Sequence, residues 1–277
     1  MLGDLFAIHP LALEDAIHFG QRPKLDNYDQ FALLVVYGAN SDRDGLVEVH
    51  CFLSDHYLVT VHRDDCPTFE ELRRRAAREP SITKDCTILL HAVVDALVDS
   101  FFPELSKLDD RIDALESAML HRPTDRQLQE IFHLKRRLVG WRKVLTGQRD
   151  VFTGIVSGIA ELPGISAAAD HAHYYRDVYD HLIRISDLVD SYRDLLTGAM
   201  DLYLSTVSNR LNEVMKRLTI VATIFMPLTW LTGFFGMNFP KLVESVGGWP
   251  MFLLFGITTQ VVAVIIMLVL FRRRGWM

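Results

Sequence analysis

Near the C-terminal end of the sequence, Asp201, Ser205, Ser208, Asn212, Met215, Thr219, Ala222, Met226, Thr229, Gly233 and Gly236 follow one another in alternating steps of four and three. On a helix this spacing keeps them all on one face for about five heptads. A packed seam of that length prefers Leu, Ile and Val. This line is carboxylate, hydroxyl, amide, thioether or bare backbone, while Ile220, Val221, Ile224 and Leu228 lie off it. Hydroxyl and amide oxygens suit a hydrated cation, and a ring of carboxylates at Asp201 with an amide ring at Asn212 would favour cations over anions. Met215, Leu218 and Met226 would supply apolar constrictions of the kind that gate by dewetting. The line ends in Gly236-Met237-Asn238, where a helix terminus frees backbone carbonyls beside the Asn238 amide oxygen.

The elements that must carry these residues follow from the charge pattern. Leu218 to Phe235 holds 18 residues without a charge and Met251 to Phe271 holds 21. A hydrocarbon core ~30 Å thick needs about 20 apolar helical residues, so each run is long enough to span. Lys216 and Arg217 precede the first run and Arg272, Arg273 and Arg274 follow the second, while the connection from Gly236 to Pro250 carries only Lys241 and Glu244. This asymmetry predicts a multi-pass protein of the cell (inner or plasma) membrane, with both termini in the cytoplasm and a short outside loop. Trp249 and Trp276 stand where interfacial aromatics are favoured. Two spans cannot enclose an aqueous path, so several copies, each turning its polar stripe to a common axis, are expected.

Upstream, Phe31 to Tyr37, Val47 to Leu53 and Tyr57 to His62 predict strands, with turn chemistry in Ser41-Asp42-Arg43-Asp44-Gly45. Pro67 to Glu79 predicts a helix. Helical spacing continues from Lys84 to Leu120 with a bend at Pro103, then from Asp125 to Ala160. From Asp170 to Phe235 a continuous helix would be ~100 Å long. The resulting organisation is an α/β region over 1–80, a helical hairpin over 81–168, a stalk helix over 169–217, spans over 218–235 and 251–271 joined by a loop over 236–250, and a basic tail over 272–277.

Cys51, Cys66 and Cys86 form no disulfide or zinc pattern, and a net charge of -6 gives no sign of nucleic-acid binding. Met1-Leu2-Gly3-Asp4 carries no signal-peptide pattern. The soluble part shows no nucleophile, glycine-rich phosphate loop or metal-ligand spacing, so an enzyme is disfavoured.

With these residues in view the sequence resembles the CorA family of magnesium and cobalt channels. Gly236-Met237-Asn238 matches the family signature, and Thr223 to Phe239 is similar to its pore helix. Further similarity lies in His9 to Phe31, Leu97 to Glu116 and Tyr174 to Asp194. The resemblance implies an α+β membrane protein with a truncated cytoplasmic α/β domain, a long stalk helix and two C-terminal transmembrane helices, assembled as a funnel-shaped homopentamer in membrane lipid. It implies Mg2+ as transported and regulatory ion, with Co2+ and Ni2+ as further cargo. Ion entry falls to Gly236, Met237, Asn238 and the loop acid Glu244. Asp201, Asn212, Met215, Leu218, Met226 and Thr229 line or gate the pore. Regulatory metal sites pair carboxylates between subunits and map onto Asp15, with Glu14 beside it, and onto Asp177. Phe235 stands where the family usually has Tyr, and Pro240-Lys241 where it often has an acid.

Plainer readings compete. Glu14, Asp15, Asp177 and the set Asp109, Asp110 and Asp113 could be solvated helix faces, His171-x-His173 a helix start, and Arg73-Arg74-Arg75 an exposed coat. A zinc transporter of the same superfamily would share fold and triplet, and a non-conducting membrane scaffold would share the spans.

Overall fold

A computed structural model describes residues 2–40, 45–160, 169–237 and 248–276. The chain separates into two compact units, Met1–Tyr203 and Leu204–Met277.

The first unit is built on an antiparallel sheet in the order β1 (Lys24–Asn27), β2 (Ala32–Ala39), β3 (Leu46–Leu53) and β4 (Leu58–His62). All eight residues of β2 are buried, which is why Phe31–Tyr37 reads as an unbroken apolar run. On one face Leu33, Val35, Tyr37 and Phe52 pack with Ile8, Ala12 and Ala16, from α1 (Leu2–Phe6), α2 (Pro10–Ile17) and their connection. Against β2 also lies α4 (Cys86–Asp99), reached through α3 (Pro67–Arg78) and a 3-10 turn at Pro80–Thr83; its Leu90, Val93, Val94 and Leu97 are buried. Each such side chain contributes ~1.5–3 kcal/mol by leaving water. The sequence showed neither the first two helices nor β1, which are short and contain charged residues. The Ser41–Asp44 turn lies outside the described residues.

Helical spacing predicts one element from Lys84 to Leu120 bent at Pro103. The structure instead parts α4 from α5 (Phe101–His121) at Ser100. The cause lies in the sheet. β1 covers β2 only as far as Val35, so the N–H groups beyond it on that side need acceptors. The Ser100 hydroxyl accepts from Ala39 N at 2.7 Å and donates to Leu97 O at 2.5 Å, while the Gln148 side-chain oxygen accepts from Tyr37 N. Gly38 permits the approach, because a Cβ there would stand 3.2 Å from the Leu97 carbonyl and 3.1 Å from Ser100 Oγ. Pro103 falls in the first turn of α5, where a missing N–H costs little.

Next comes α6 (Asp125–Val156), opened by a Thr124/Gln127 capping box. It stops short of Ala160 as Gly158 turns to φ +73°. The last helix of this unit is the first part of α7, which runs unbroken over Ala169–Phe235. Its buried Tyr175, Val178, Leu182, Ile185, Val189, Leu196, Ala199 and Tyr203 form an apolar seam. Side chains join it to its neighbours: Tyr203 to Asp125 at 3.1 Å, Thr197 to Lys135 at 3.0 Å and Asp190 to Arg142 at 3.2 Å.

Trp141 is the largest fully buried side chain, with its ring edge-on to Phe101 at 5.2 Å and beneath the Arg137 guanidinium at 4.8 Å. Its indole N–H meets no acceptor among the described residues. Trp141→Ala is therefore expected to lose ~3–5 kcal/mol of stability. Trp141→Phe should lose clearly less, since no hydrogen bond goes with it. Thermal denaturation of both variants checks the difference.

The second unit contains the remainder of α7, a helical turn at Trp249–Met251, π-helical turns over Phe252–Thr258 and α8 (Thr259–Arg273). The expected span 251–271 is helical throughout, but not uniformly α. Thr258 Oγ1 bonds Leu253 O, five residues back, at 2.9 Å. Among the described residues, three helical stretches are long and apolar enough to cross a membrane: Cys86–His121, His173–Phe235 and Trp249–Arg273. The first of them carries α4 and α5 and packs much of its apolar surface within the unit.

Candidate cation pathway and carboxylate sites

In the second unit most of α7 is exposed, the polar line together with apolar neighbours such as Val221, Phe225 and Trp230. From Lys216 onward the half-buried positions of α7 are Lys216, Ile220, Ile224, Leu228 and Leu231, in three steps of four and one of three, off the polar line. Gly256, Gln260, Ala263, Val264, Met267 and Phe271 are half-buried on the following helix. Lys216 Nζ donates to Gly275 O at 3.0 Å and ties the two helices together at that end. Asn212, Met215, Thr219, Ala222, Met226, Thr229 and Gly233 are all exposed, as is Leu218, with Met226 at 73%. Asp201, at the end of the first unit, is exposed too.

Local hydrogen bonds let this face carry polar groups without breaking the helix. Thr219 Oγ1 donates to Met215 O at 2.8 Å and Thr229 Oγ1 to Phe225 O at 2.9 Å. The hydroxyl oxygens keep acceptor capacity for water or a hydrated ion. Pro227 lies inside the helix and removes one N–H, leaving a carbonyl one turn earlier for other partners. The helix closes with Gly236 N bonded to Thr232 O at 2.9 Å. A Cβ on Gly236 would lie 3.0 Å from that same carbonyl, a close contact that a larger residue would have to relieve by a small shift. Met237 is exposed beyond it, and Asn238, Lys241 and Glu244 lie outside the described residues.

In the first unit the structure joins Asp177 to residues the sequence reading passed over. Ligand atoms of Asp95, Asp177 and His181 all lie within 4.8 Å of one another. His181 Nδ1 is also 2.9 Å from Asp99 Oδ1. Burial, with the neighbouring Asp95 carboxylate, pushes the Asp99 carboxyl above its usual range, and burial lowers His91 one turn before Asp95. Two carboxylates and an imidazole make a mixed oxygen and nitrogen donor set, suited to divalent ions from Mg2+ to Co2+ and Zn2+. A groove of about 560 Å3 beside Asp95 and Asp99 gives water access to them. A signal was present: His91, Asp95 and Asp99 recur every four residues on α4, as do Asp177 and His181 on α7.

Asp15 and Glu14 stand apart from that group. Glu14 is exposed, while Asp15 Oδ2 lies 2.6 Å from Lys24 Nζ and Oδ1 accepts from Gln21 Nε2 at 3.5 Å. The turn between Asp15 and Lys24 is held by Glu48 on β3. That carboxylate accepts from Gly20 N at 2.5 Å, Gln21 N at 3.1 Å and the buried His50 ring at 2.7 Å. Burial alone would raise the Glu48 carboxyl, but these donors hold it below its ordinary value. A depressed carboxyl stabilises the fold above the unfolded-state value of about 4.5, and the gain is lost as pH falls towards the folded value. Glu48→Gln should therefore lower stability at neutral pH and flatten the acid limb, as read by denaturant unfolding at about pH 7 and about pH 4.

Two exposed apolar helices of spanning length, the first with a polar stripe, set the chain among integral membrane proteins. Its sequence matches the family described as "CorA-like Mg2+ transporter protein" over residues 2–273, and the chain belongs to that family. It is 37% identical over 284 residues to the cobalt/magnesium transport protein CorA of Thermotoga maritima, covering 100% of this chain and 79% of that protein. The complete structure of the CorA magnesium transporter from Methanocaldococcus jannaschii matches with a TM-score of 0.88 at 24% identity, covering 100% of this chain and 86% of that one. The cytoplasmic domain of ZntB from Vibrio parahaemolyticus has the same fold at a TM-score of 0.62 and 12% identity, covering 75% of this chain and 82% of that one. The resemblance carried by the Gly-Met-Asn segment and its upstream matches thus holds for the whole chain, and the family is one of transporters.

Proposed function

We propose that this chain is one subunit of a homopentameric Mg2+ channel of the cell membrane, with Co2+ and Ni2+ as further cargo. The observation that carries the reading is the family match over nearly the full length, through both spans and the Gly236-Met237 junction. Both termini lie in the cytoplasm, as the basic flanks favour. Asn238, with the free carbonyls after Gly236 and the acid Glu244, meets the ion at the outer mouth. Mg2+ holds its water tightly, so a ring reading the hydrated ion costs less than one stripping it. The exposed line from Thr229 through Met226, Leu218, Met215 and Asn212 to Asp201 passes it inward, driven by the membrane potential.

Closure depends on cytoplasmic Mg2+. Asp15, with Glu14 beside it, and Asp177 belong to regulatory sites between subunits, and Asp95 and His181 join Asp177 there. Opposed carboxylates repel until a divalent ion bridges them, so occupancy favours the closed ring and depletion releases it. The zinc reading draws only on the ZntB-like fold and the donor set. Uptake by reconstituted vesicles of Mg2+, Co2+, Ni2+ and Zn2+, with and without a pH gradient, tests the assignment. Uptake of Mg2+ and Co2+ without a pH gradient is expected. Zinc uptake requiring a proton gradient would contradict it, and no uptake of any ion would leave a scaffold.

A further inference from the structure

We infer that Lys24 is an internal competitor for the divalent cation at Asp15 and thereby sets the Mg2+ concentration at which the ring closes. The inference rests on the proposed regulatory role of Asp15. Lys24 Nζ lies 2.6 Å from Asp15 Oδ2 and 2.7 Å from Asp26 Oδ2, so one ammonium bridges two carboxylates. The arrangement is built by the backbone. Asp15 belongs to α2 and Lys24 and Asp26 to β1, and the Gly20-Gln21 turn between them is pinned by both oxygens of the Glu48 carboxylate. Pairing of Lys24 with Val35 and Asp26 with Leu33 fixes the register of β1, so the two side chains share one face of the strand.

An ammonium on Oδ2 uses the charge and the lone pairs that a divalent ion, or the water shell it keeps, would use. Binding at Asp15 therefore requires Lys24 to yield. Asp26 makes that easy, because the released ammonium keeps a carboxylate within reach and stays close enough to return when Mg2+ falls. Both Lys24 and Asp15 side chains are 29% exposed, so the contact is partly screened and its influence is a modest shift in midpoint.

The test uses the full chain in vesicles, reading Mg2+ flux against Mg2+ on the cytoplasmic side for wild type, Lys24→Met, Lys24→Arg, Asp15→Asn and the Asp15→Asn/Lys24→Met double variant. Lys24→Met is expected to lower the half-closing Mg2+ concentration by ~2–5-fold, the range of a partly exposed ion pair. Lys24→Arg, which keeps the charge, should stay near wild type, and Lys24→Met should add nothing in the Asp15→Asn background. A midpoint unchanged or raised in Lys24→Met, while Asp15→Asn shifts it, overturns the role of Lys24 and leaves Asp15 regulatory. A midpoint indifferent to Asp15→Asn removes the regulatory reading itself. If Lys24→Met does not fold, Lys24→Gln replaces it, and failure of both would make the pair structural and overturn the inference.

Discussion

Asn238→Ala is expected to abolish Mg2+ uptake, with flux falling by about two orders of magnitude or more while the protein still assembles in the membrane. The size follows from repetition. One lost amide contact is worth ~1 kcal/mol, and in a ring the loss is taken by every subunit at once. Rescue of a magnesium-transport-deficient host on low Mg2+ gives the readout. Unimpaired rescue by the variant would remove Asn238 from the ion path.

The second large effect is expected at Asp177. Asp177→Asn takes one carboxylate from the group it forms with Asp95 and His181, whose ligand atoms lie within 4.8 Å of each other. Outer-shell partners of bound metals are commonly worth ~10–100-fold in affinity, and a ligand should matter at least as much. The half-closing Mg2+ concentration should therefore rise by ~10-fold or more, so the variant keeps conducting at Mg2+ levels that silence the wild type. Asp95→Asn should act in the same direction. A change at Asp109 on α5, outside this group, should leave the midpoint alone. Flux recorded while cytoplasmic Mg2+ is stepped upward separates these outcomes, and closure of Asp177→Asn at the wild-type concentration would contradict the assignment.

Long uncharged runs made the two C-terminal apolar helices legible from sequence, and the lack of helix-breaking residues made the long α7 legible too. Eighteen and 21 uncharged residues admit few other structures, and the 67 residues of α7 carry no interruption strong enough to end the helix. The β2 strand was legible for a similar reason, since burial on both faces leaves an unbroken apolar run. What escaped was decided by partners distant in sequence. The break at Ser100 answers an unpaired N–H on Ala39, and Gln148 is buried because Tyr37 N needs an acceptor. Neither need is visible along the chain. The strand β1 has the sequence Lys-Leu-Asp-Asn, with no strand pattern of its own, and is recruited by pairing with β2.

The site divides in the same way. Periodicity traced the stripe, because a helix face is a local property. The partners of Asp177 required two helices to be brought together, although i, i+4 repeats of Asp and His on each held a clue. The ion pair of Asp15 with Lys24 depends on a turn whose anchor, Glu48, lies on another strand.

The measurement that bears most directly on the central claim is Mg2+ influx into vesicles reconstituted with the wild-type chain, under an inside-negative potential and no other energy source. Influx that rises with the potential, needs no ATP or proton gradient and stops when the internal face is loaded with Mg2+ is the expected result. No Mg2+ influx under any potential, or influx only when a proton gradient is imposed, would contradict a Mg2+ channel.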